Sequence, residues 1–243
     1  FAGMASDGVI ANGDDPHTVQ ALEGIDYVTF GLGEGNRIHA ANMCPDWRHF
    51  DVLCDGEFYC HLDMGVLGRH NAMNALAASA AAWMMGIPGE AVSRGLVSFH
   101  GAGRRMEFKG KFHGADVYDD YAHHPDEVAA TISAVRDAMP GRRLVLAFQP
   151  HTYSRTSALF DDFVRELSRA DVLVLAEIYA ARERNTIGIS SADVAEKIPG
   201  AVFCETLPEV TEYLRQNVRE GDVVLTMGAG DIFRAGEALL KSE

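Results

Sequence analysis

The residues best suited to chemistry lie in one stretch, Asp119-Asp120-Tyr121-Ala122-His123-His124-Pro125-Asp126-Glu127. Two carboxylates, a phenol and two imidazoles fall within six positions, too polar a set for a core. The stretch follows a strand-like run, Ala115 to Tyr118, and precedes a helical run, Asp126 to Ala138. Ligands of open α/β sheets collect at such strand-to-helix turns. Pro125 suits a first helical turn, and Asp126 and Glu127 suit the positive end of the helix dipole. A solvated loop could have this composition. A second cluster, Gln149-Pro150-His151-Thr152-Tyr153-Ser154-Arg155-Thr156, placed the same way after the next strand, favours a site. His123 and His124 are adjacent, whereas helical zinc ligands are spaced by three or four, so no metal ligand is assigned. Arg155 and its neighbouring hydroxyls suit a phosphate or a carboxylate. Arg104-Arg105 could do the same or lie solvated. Gly228-Ala229-Gly230-Asp231 is either an anion-binding helix start or a tight turn. Asn71 and Asn74 share a helix face, where two carboxamides could read a purine edge or simply form an N-cap and a polar surface.

Repeated strand-then-helix units must position these residues. From Gly101 the expected strands are Ala115–Asp119, Arg143–Phe148, Asp171–Glu177, Ala201–Cys204 and Asp222–Met227. Helical patterns follow over Asp126–Ala138, Thr156–Arg169, Ser191–Lys197, Leu207–Val218 and Asp231–Leu240. Runs such as Leu144-Val145-Leu146-Ala147-Phe148 are apolar throughout, as in strands covered on both faces. This predicts an α/β fold with a doubly wound, mostly parallel sheet. Right-handed crossovers would then bring the 119–127, 149–156, 177–186 and 228–231 loops to one rim. In residues 1 to about 65, Gly8–Ala11 reads as a small apolar strand ending at a turn, and Asp26–Gly31, Arg37–Asn42, Trp47–Cys54 and Glu57–Met64 predict a small, mostly antiparallel sheet. Asp55-Gly56 signals a hairpin. Gly31-Leu32-Gly33-Glu34-Gly35 has no Lys-Ser/Thr and reads as a hairpin turn rather than a phosphate loop. Helices over Asn71–Met85 and Pro88–Ser98 complete this part, and a domain boundary with a hinge is expected at Gly101-Ala102-Gly103.

The 243 residues carry a formal charge of −14 and are nearly half hydrophobic. The charge argues against a nucleic-acid partner, which needs a basic face. No apolar run is long enough to cross a membrane, and the start shows no signal-peptide pattern. The absence of an initiator Met suggests that the chain starts mid-protein. Cys44, Cys54, Cys60 and Cys204 form no C-x-x-C pair and read as buried or free thiols of a cytosolic protein.

Taken together, several motifs resemble the Mur ligases of peptidoglycan synthesis. They are Gly68-Arg69-His70-Asn71…Asn74, Arg104-Arg105-Met106-Glu107, Asp119 to Pro125, Phe148 to Thr156, Glu177 to Glu183, and Gly228 to Asp231. They follow the family's order over essentially the whole chain. The Phe148–Thr156 run is closest to the branch that adds L-alanine to UDP-N-acetylmuramate, rather than the tripeptide-recycling branch. Thr152 departs from the pattern, since many relatives carry Arg there.

The resemblance implies an end of the central ATPase domain over residues 1–101 and a C-terminal Rossmann-like ligase domain over 102–243. It implies His70, Asn71 and Asn74 on the adenine side, Arg105 on phosphate, and Asp120 on ribose. Tyr121, His123 and Arg155 would meet the incoming alanine and an acyl phosphate. The implied partners are ATP, UDP-N-acetylmuramate and L-alanine, with Mg2+ held by residues upstream, and the implied location is cytoplasmic. No G-x-x-x-x-G-K-[ST] occurs in the chain, so an inactive fragment that needs the rest of its protein is expected. Two other readings use the same residues. A free-standing nucleotide-binding module would need no P-loop, and a His-rich metallohydrolase would hold stoichiometric metal.

Overall fold

The computed structural model describes residues 2–66, 68–99, 101 and 103–241. The chain divides into two compact units, Phe1–His100 and Gly101–Glu243. Ala102, at the centre of the expected hinge, lies outside the described residues, as does Leu67 in the run before the first long helix.

The first unit holds a five-stranded sheet in the order β1 (Ile10–Asn12), β2 (Val28–Gly31), β3 (Ile38–Ala41), β4 (His49–Cys54) and β5 (Glu57–Asp63). The expectation of a mostly antiparallel sheet needs correction. Only the β3–β4 and β4–β5 pairs are antiparallel, and β1, β2 and β3 run parallel. The link between β1 and β2 has room for α1 (Pro16–Ala21), the crossover a parallel pair needs. The Gly31–Gly35 segment is therefore no hairpin. It joins parallel strands over a short span because β3 pairs only with the end of β2, Phe30 with Ile38 and Gly31 with His39, and then runs past it. Its amides do not point at an anion either: Leu32 and Gly33 donate to the Asp14 carboxylate at 2.6 and 3.2 Å. In β4, Phe50, Val52 and Cys54 point inward while His49 and Asp51 point outward, the alternation of a sheet with one covered face. The cover includes α2 (Arg69–Met84), through Ala72, Ala75, Leu76 and Ala80, and α3 (Gly89–Val97), through Val92.

The second unit is the doubly wound, mostly parallel sheet expected of it. Its strands are β6 (Glu107–Phe112), β7 (Ala115–Asp120), β8 (Leu144–Phe148), β9 (Val172–Ala176), β10 (Val202–Cys204) and β11 (Val223–Met227), ordered β10-β9-β8-β11-β7-β6. All neighbours are parallel except β6, an antiparallel edge. Strand β6 gave no clear signal in the sequence. Its Lys-Gly-Lys core breaks the apolar pattern and the register shifts between Phe108 and Gly110. It turns into β7 through His113-Gly114, both with positive φ (46° and 80°), as a two-residue hairpin requires.

Helices cover both faces. On one, α4 (Pro125–Ala138) contributes Val128, Ile132 and Val135, α6 (Phe160–Leu167) Phe163 and Leu167, and α7 (Ser191–Lys197) Val194. These meet Leu144, Leu146, Phe148, Leu173, Leu175 and Leu225. On the other, Val210 and Leu214 of α8 (Leu207–Asn217) and Ala235 and Leu239 of α9 (Phe233–Leu240) meet Val117, Val145, Ala147, Val174 and Val224. Successive residues of β8 thus enter opposite cores, and all five are buried. The helix expected over 156–169 is broken at Leu159 (φ −115°) into α5 (Tyr153–Ala158) and α6.

Ion pairs close the edge of the sheet opposite the carboxyl ends of the parallel strands. Arg142 reaches Asp116 at 2.6 Å and the carbonyls of Gly221 and Asp222 at 2.7 and 2.6 Å. Burial alone would raise the Asp116 carboxyl, but Arg142 and Lys111 outweigh it and hold it below the usual range. Such a lowered carboxyl stabilises the fold above its unfolded value, and that stability is lost as pH falls through the folded value. Arg142→Ala should lower the unfolding free energy of this unit by about 2–3 kcal/mol, as expected for lost charged hydrogen bonds. It should also weaken the acid dependence below about pH 4, near the unperturbed carboxylate value. Urea titration at several pH values checks both.

Candidate active site

The carboxyl ends of β7, β11, β8 and β9 are neighbours in that order, so the loops leaving them share one rim. At the β7 end, Asp119 is only 1% exposed and Asp120 4%. Asp119 accepts from Arg104 Nε and from Thr226 Oγ1, each at 2.8 Å. The same guanidinium donates to the carbonyls of Gly230 (3.0 Å) and Gly228 (2.6 Å). It lies over the rings of Tyr121 and Phe233, with centroid distances of 5.0 and 4.6 Å. Arg104 therefore ties the β7 end to the loop after β11, and is neither a solvated cation nor a spare anion contact. Arg105 is the more exposed of the two. It lies 5.6 Å from the Tyr121 ring centre and 3.9 Å from Glu127.

Asp120, expected to meet a ribose, faces inward instead. It accepts from the amides of Met106 and Ala122, each at 2.8 Å, and from the Thr131 hydroxyl at 3.4 Å. Burial pushes its carboxyl up despite those donors and the nearby Arg105. As placed, both oxygens shape the loop, because its buried amides need acceptors.

Beyond it, the backbone starts α4 through a capping box: His124 accepts from Asp126 N, and Glu127 accepts from the amides of His123 and His124. Burial would raise Glu127, but those amides and the charges of His123 and Arg105 outweigh it and lower it. His123 Nδ1 faces two acceptors, Tyr121 O at 3.0 Å and Glu127 Oε2 at 3.3 Å. With the Nδ1 proton assigned from these partners, Nε2 is the ring nitrogen left to accept a proton.

An aromatic row then crosses the rim. Ring centres of Tyr121 and His123 are 5.4 Å apart, those of His123 and His151 5.9 Å, and those of His151 and Tyr179 5.6 Å. His151 and Tyr179 also bridge through their backbones, Thr152 N to Tyr179 O and Tyr179 N to Pro150 O, both at 2.9 Å. Burial lowers the His151 value first, then the positive charges of Arg155 and His123, with Glu183 opposing them. His151 is thereby held neutral near pH 7. His123 and Arg155, 32 positions apart, both act on it. Among the described residues, His151 Nδ1 and Arg155 Nη1 are buried atoms with no hydrogen-bond partner. That leaves hydrogen-bonding capacity on the imidazole and on the guanidinium unused.

The 228–231 loop is a tight turn against this row. A Cβ on Gly228 would lie 2.6 Å from Gln149 O, and one on Gly230 would lie 2.7 Å from Tyr179 Cγ. The amides of Asp231 and Ile232 donate to the buried Gln149 side chain at 2.9 and 3.1 Å, so they offer nothing to an anion. Glu177 is likewise engaged, with the Ile178 amide and the Ser190 hydroxyl.

In the first unit, Gly68 (φ 95°) caps α2 and Asn71 does not. His70 and Asn74 are exposed and Asn71 is half-buried, all within the first two turns. Among the described residues no group of three or more His, Cys, Asp or Glu is placed to hold a metal ion. Nor is any described helix long and apolar enough to cross a membrane.

Residues 104–230 match the Mur ligase, glutamate ligase domain, and residues 1–82 match the Mur ligase middle domain. The chain belongs to the Mur ligase family. A UDP-N-acetylmuramate–L-alanine ligase of Clostridium novyi is 40% identical, covering 97% of this chain and 53% of its own length. That of Lachnospira eligens is 48% identical over 79% of this chain and 42% of its own length. The chain spans about half the length of the curated relatives it matches. A solved UDP-N-acetylmuramate-alanine ligase from Thermotoga maritima superposes with TM-score 0.79 and 26% identity, covering 97% of this chain and 51% of that one. MurF from Acinetobacter baumannii shares the fold, with TM-score 0.73 and 19% identity, covering 98% of this chain and 51% of that one.

Against this Mur ligase background, three residues outside the expected site set matter to the rim: His151, Gln149 and Arg104. All lay inside quoted motifs, but nothing in the sequence separates the arginine that clamps from the one that stays exposed. Arg104→Ala should destabilise the second unit by about 3 kcal/mol, because it leaves buried Asp119 without its cation. Chemical denaturation checks it. Arg105→Ala, at an exposed position, should cost roughly 0.5 kcal/mol or less.

Proposed function

We propose that this chain is part of an ATP-dependent ligase that joins L-alanine to UDP-N-acetylmuramate. The observation that carries the reading is the rim: His151, set in a row of aromatic rings, and Arg155 each keep a buried nitrogen that has no hydrogen-bond partner among the described residues. Its support is that the curated relatives quoted are named for that reaction. In this reading the first unit is the end of a central ATP-binding domain, and the second receives the amino acid. Its place is the cytoplasm.

The reaction has two steps. ATP transfers its γ-phosphoryl group to the muramoyl carboxylate, giving an acyl phosphate and ADP. The alanine amine then attacks the acyl carbon, and the C–O bond to phosphate breaks as the C–N bond forms. Alanine arrives as an ammonium and must lose a proton before it attacks, and the nitrogen loses another as the amide forms. His123 Nε2 is the acceptor suited to the first proton, with Nδ1 fixed by Tyr121 O and Glu127. Arg155 suits the alanine carboxylate or the charge that builds on the acyl phosphate. Tyr121 walls the site beside His123. Arg105 would reach phosphate, and His70, Asn71 and Asn74 would hold the adenine. Asp120 would serve the nucleotide side by holding the 120–122 turn. ATP brings Mg2+, which neutralises the phosphates when bound. Among the described residues no group of three or more His, Cys, Asp or Glu is placed to hold it.

These 243 residues contain no P-loop, so phosphoryl transfer lacks the cradle it needs. Phosphate release with UDP-N-acetylmuramate, L-alanine, ATP and Mg2+ tests the reading. A complete ligase carrying this chain should release phosphate only when L-alanine is present, and residues 1–243 alone should release none. Turnover that ignores L-alanine would refute the assignment.

A further inference from the structure

Helix α5, which carries Arg155, starts without a cap of its own. Thr152 occupies the cap position with φ +68°, a costly backbone for a β-branched residue, and its side chain makes no capping hydrogen bond. The first amides of a helix have no partner within it and need one from outside. Here it comes from the loop after β9. Glu183 Oε2 accepts from Ser154 N at 2.9 Å, and Oε1 accepts from the Ser154 hydroxyl. The loop that brings Glu183 is shaped by its own bonds, Asn185 Nδ2 to Ile189 O at 2.9 Å and Gly188 N to Asn185 Oδ1 at 2.8 Å. Its base is stitched to His151 and Thr152 through Tyr179.

We propose that Glu183 is a positioning residue of the rim: capping α5 from the neighbouring loop, it sets where Arg155 and His151 present their unpartnered nitrogens. An exposed carboxylate bond usually contributes little. This one differs because it satisfies a helix-start amide that the local sequence leaves open, next in chain to the guanidinium that matters. Its charge also reaches His151. The groups acting on that imidazole are Arg155, His123 and Glu183, with Tyr179 stacked on its face, and Glu183 alone among the charged groups favours the protonated form. That the positioning serves catalysis rests on the ligase reading; the cap itself does not.

The test uses the 243-residue chain and nuclear magnetic resonance, with no turnover involved. Three signals are followed: exchange of the Ser154 amide, the Arg155 Nε–H resonance and the titration of the His151 ring. In Glu183→Ala the Ser154 amide should exchange about fivefold to tenfold faster, the size of a lost cap. The Arg155 resonance should shift and the His151 midpoint should fall. In Glu183→Gln an oxygen remains to accept from Ser154 N, so exchange should stay close to that of the unmodified chain, while the midpoint still falls because the charge is gone. Arg182→Ala, in the same loop, should change none of the three. An unchanged His151 midpoint in both Glu183 variants, with unchanged Ser154 exchange in the alanine one, would overturn the proposal. If Glu183→Ala does not fold, Glu183→Asp decides, since its shorter side chain withdraws from the Ser154 amide: unchanged Ser154 exchange there would overturn the proposal. A chain without ligase chemistry would leave all these readings as stated, so the two ideas fail separately.

Discussion

The rim depends on one half-buried cation. Arg104 neutralises Asp119 at 2.8 Å, holds the carbonyls of Gly228 and Gly230, and lies against Tyr121 and Phe233. A carboxylate 1% exposed is tolerable only with such a partner, since an unpaired buried charge costs several kcal/mol. The clamp in turn fixes the geometry of two strand-end loops that are more than a hundred residues apart in the chain. Carbonyls at the end of β11 that would otherwise seek water are satisfied by a planar fork suited to several acceptors at once.

On this base the loops hold conformations that their residues would not choose. Arg104, Met106, Thr152 and Ala181 all have positive φ, and all belong to the segments that build the rim. Strain of this kind persists where surrounding contacts over-determine it, and it often marks a functional site. The contacts are visible here: Met106 N on Asp120, the Thr152 backbone on Tyr179 and Thr156, and Ser154 on Glu183. What they leave over among the described residues of the rim is small and specific, the Nδ1 of His151 and one guanidinium nitrogen of Arg155. Polar atoms that are buried, held still and unpaired are poised for a ligand at little further ordering cost.

The sheet of the second unit was legible because its strands are apolar on both faces, as Leu144 to Phe148 illustrates, and helices separate them. The meeting of the 119–127 and 149–156 loops follows from parallel topology and needs no side-chain detail. Other features follow from contacts between distant segments. Strand β6 is stabilised by pairing with β7, and its own Lys-Gly-Lys sequence hides it. The parallel start of the first sheet was missed because β2 and β3 overlap by only two residues, so a short link imitates a hairpin. In the site, Tyr121, His123 and Arg155 could be named from residue type. The inward turn of Asp120 could not, because it depends on which amides at Met106 and Ala122 lack another acceptor. Nor could the split between Arg104 and Arg105, neighbours of one type with opposite environments.

In the proposed ligase reaction the rim stabilises charge as the amide forms. The most direct test of this is Arg155→Ala in a complete ligase carrying this chain, with turnover and ATP affinity measured together. kcat should fall by about a hundredfold or more, the scale of a lost transition-state contact. The apparent ATP affinity should change by less than about threefold, a difference well under 1 kcal/mol. A loss confined to ATP affinity, with kcat unchanged, would contradict it.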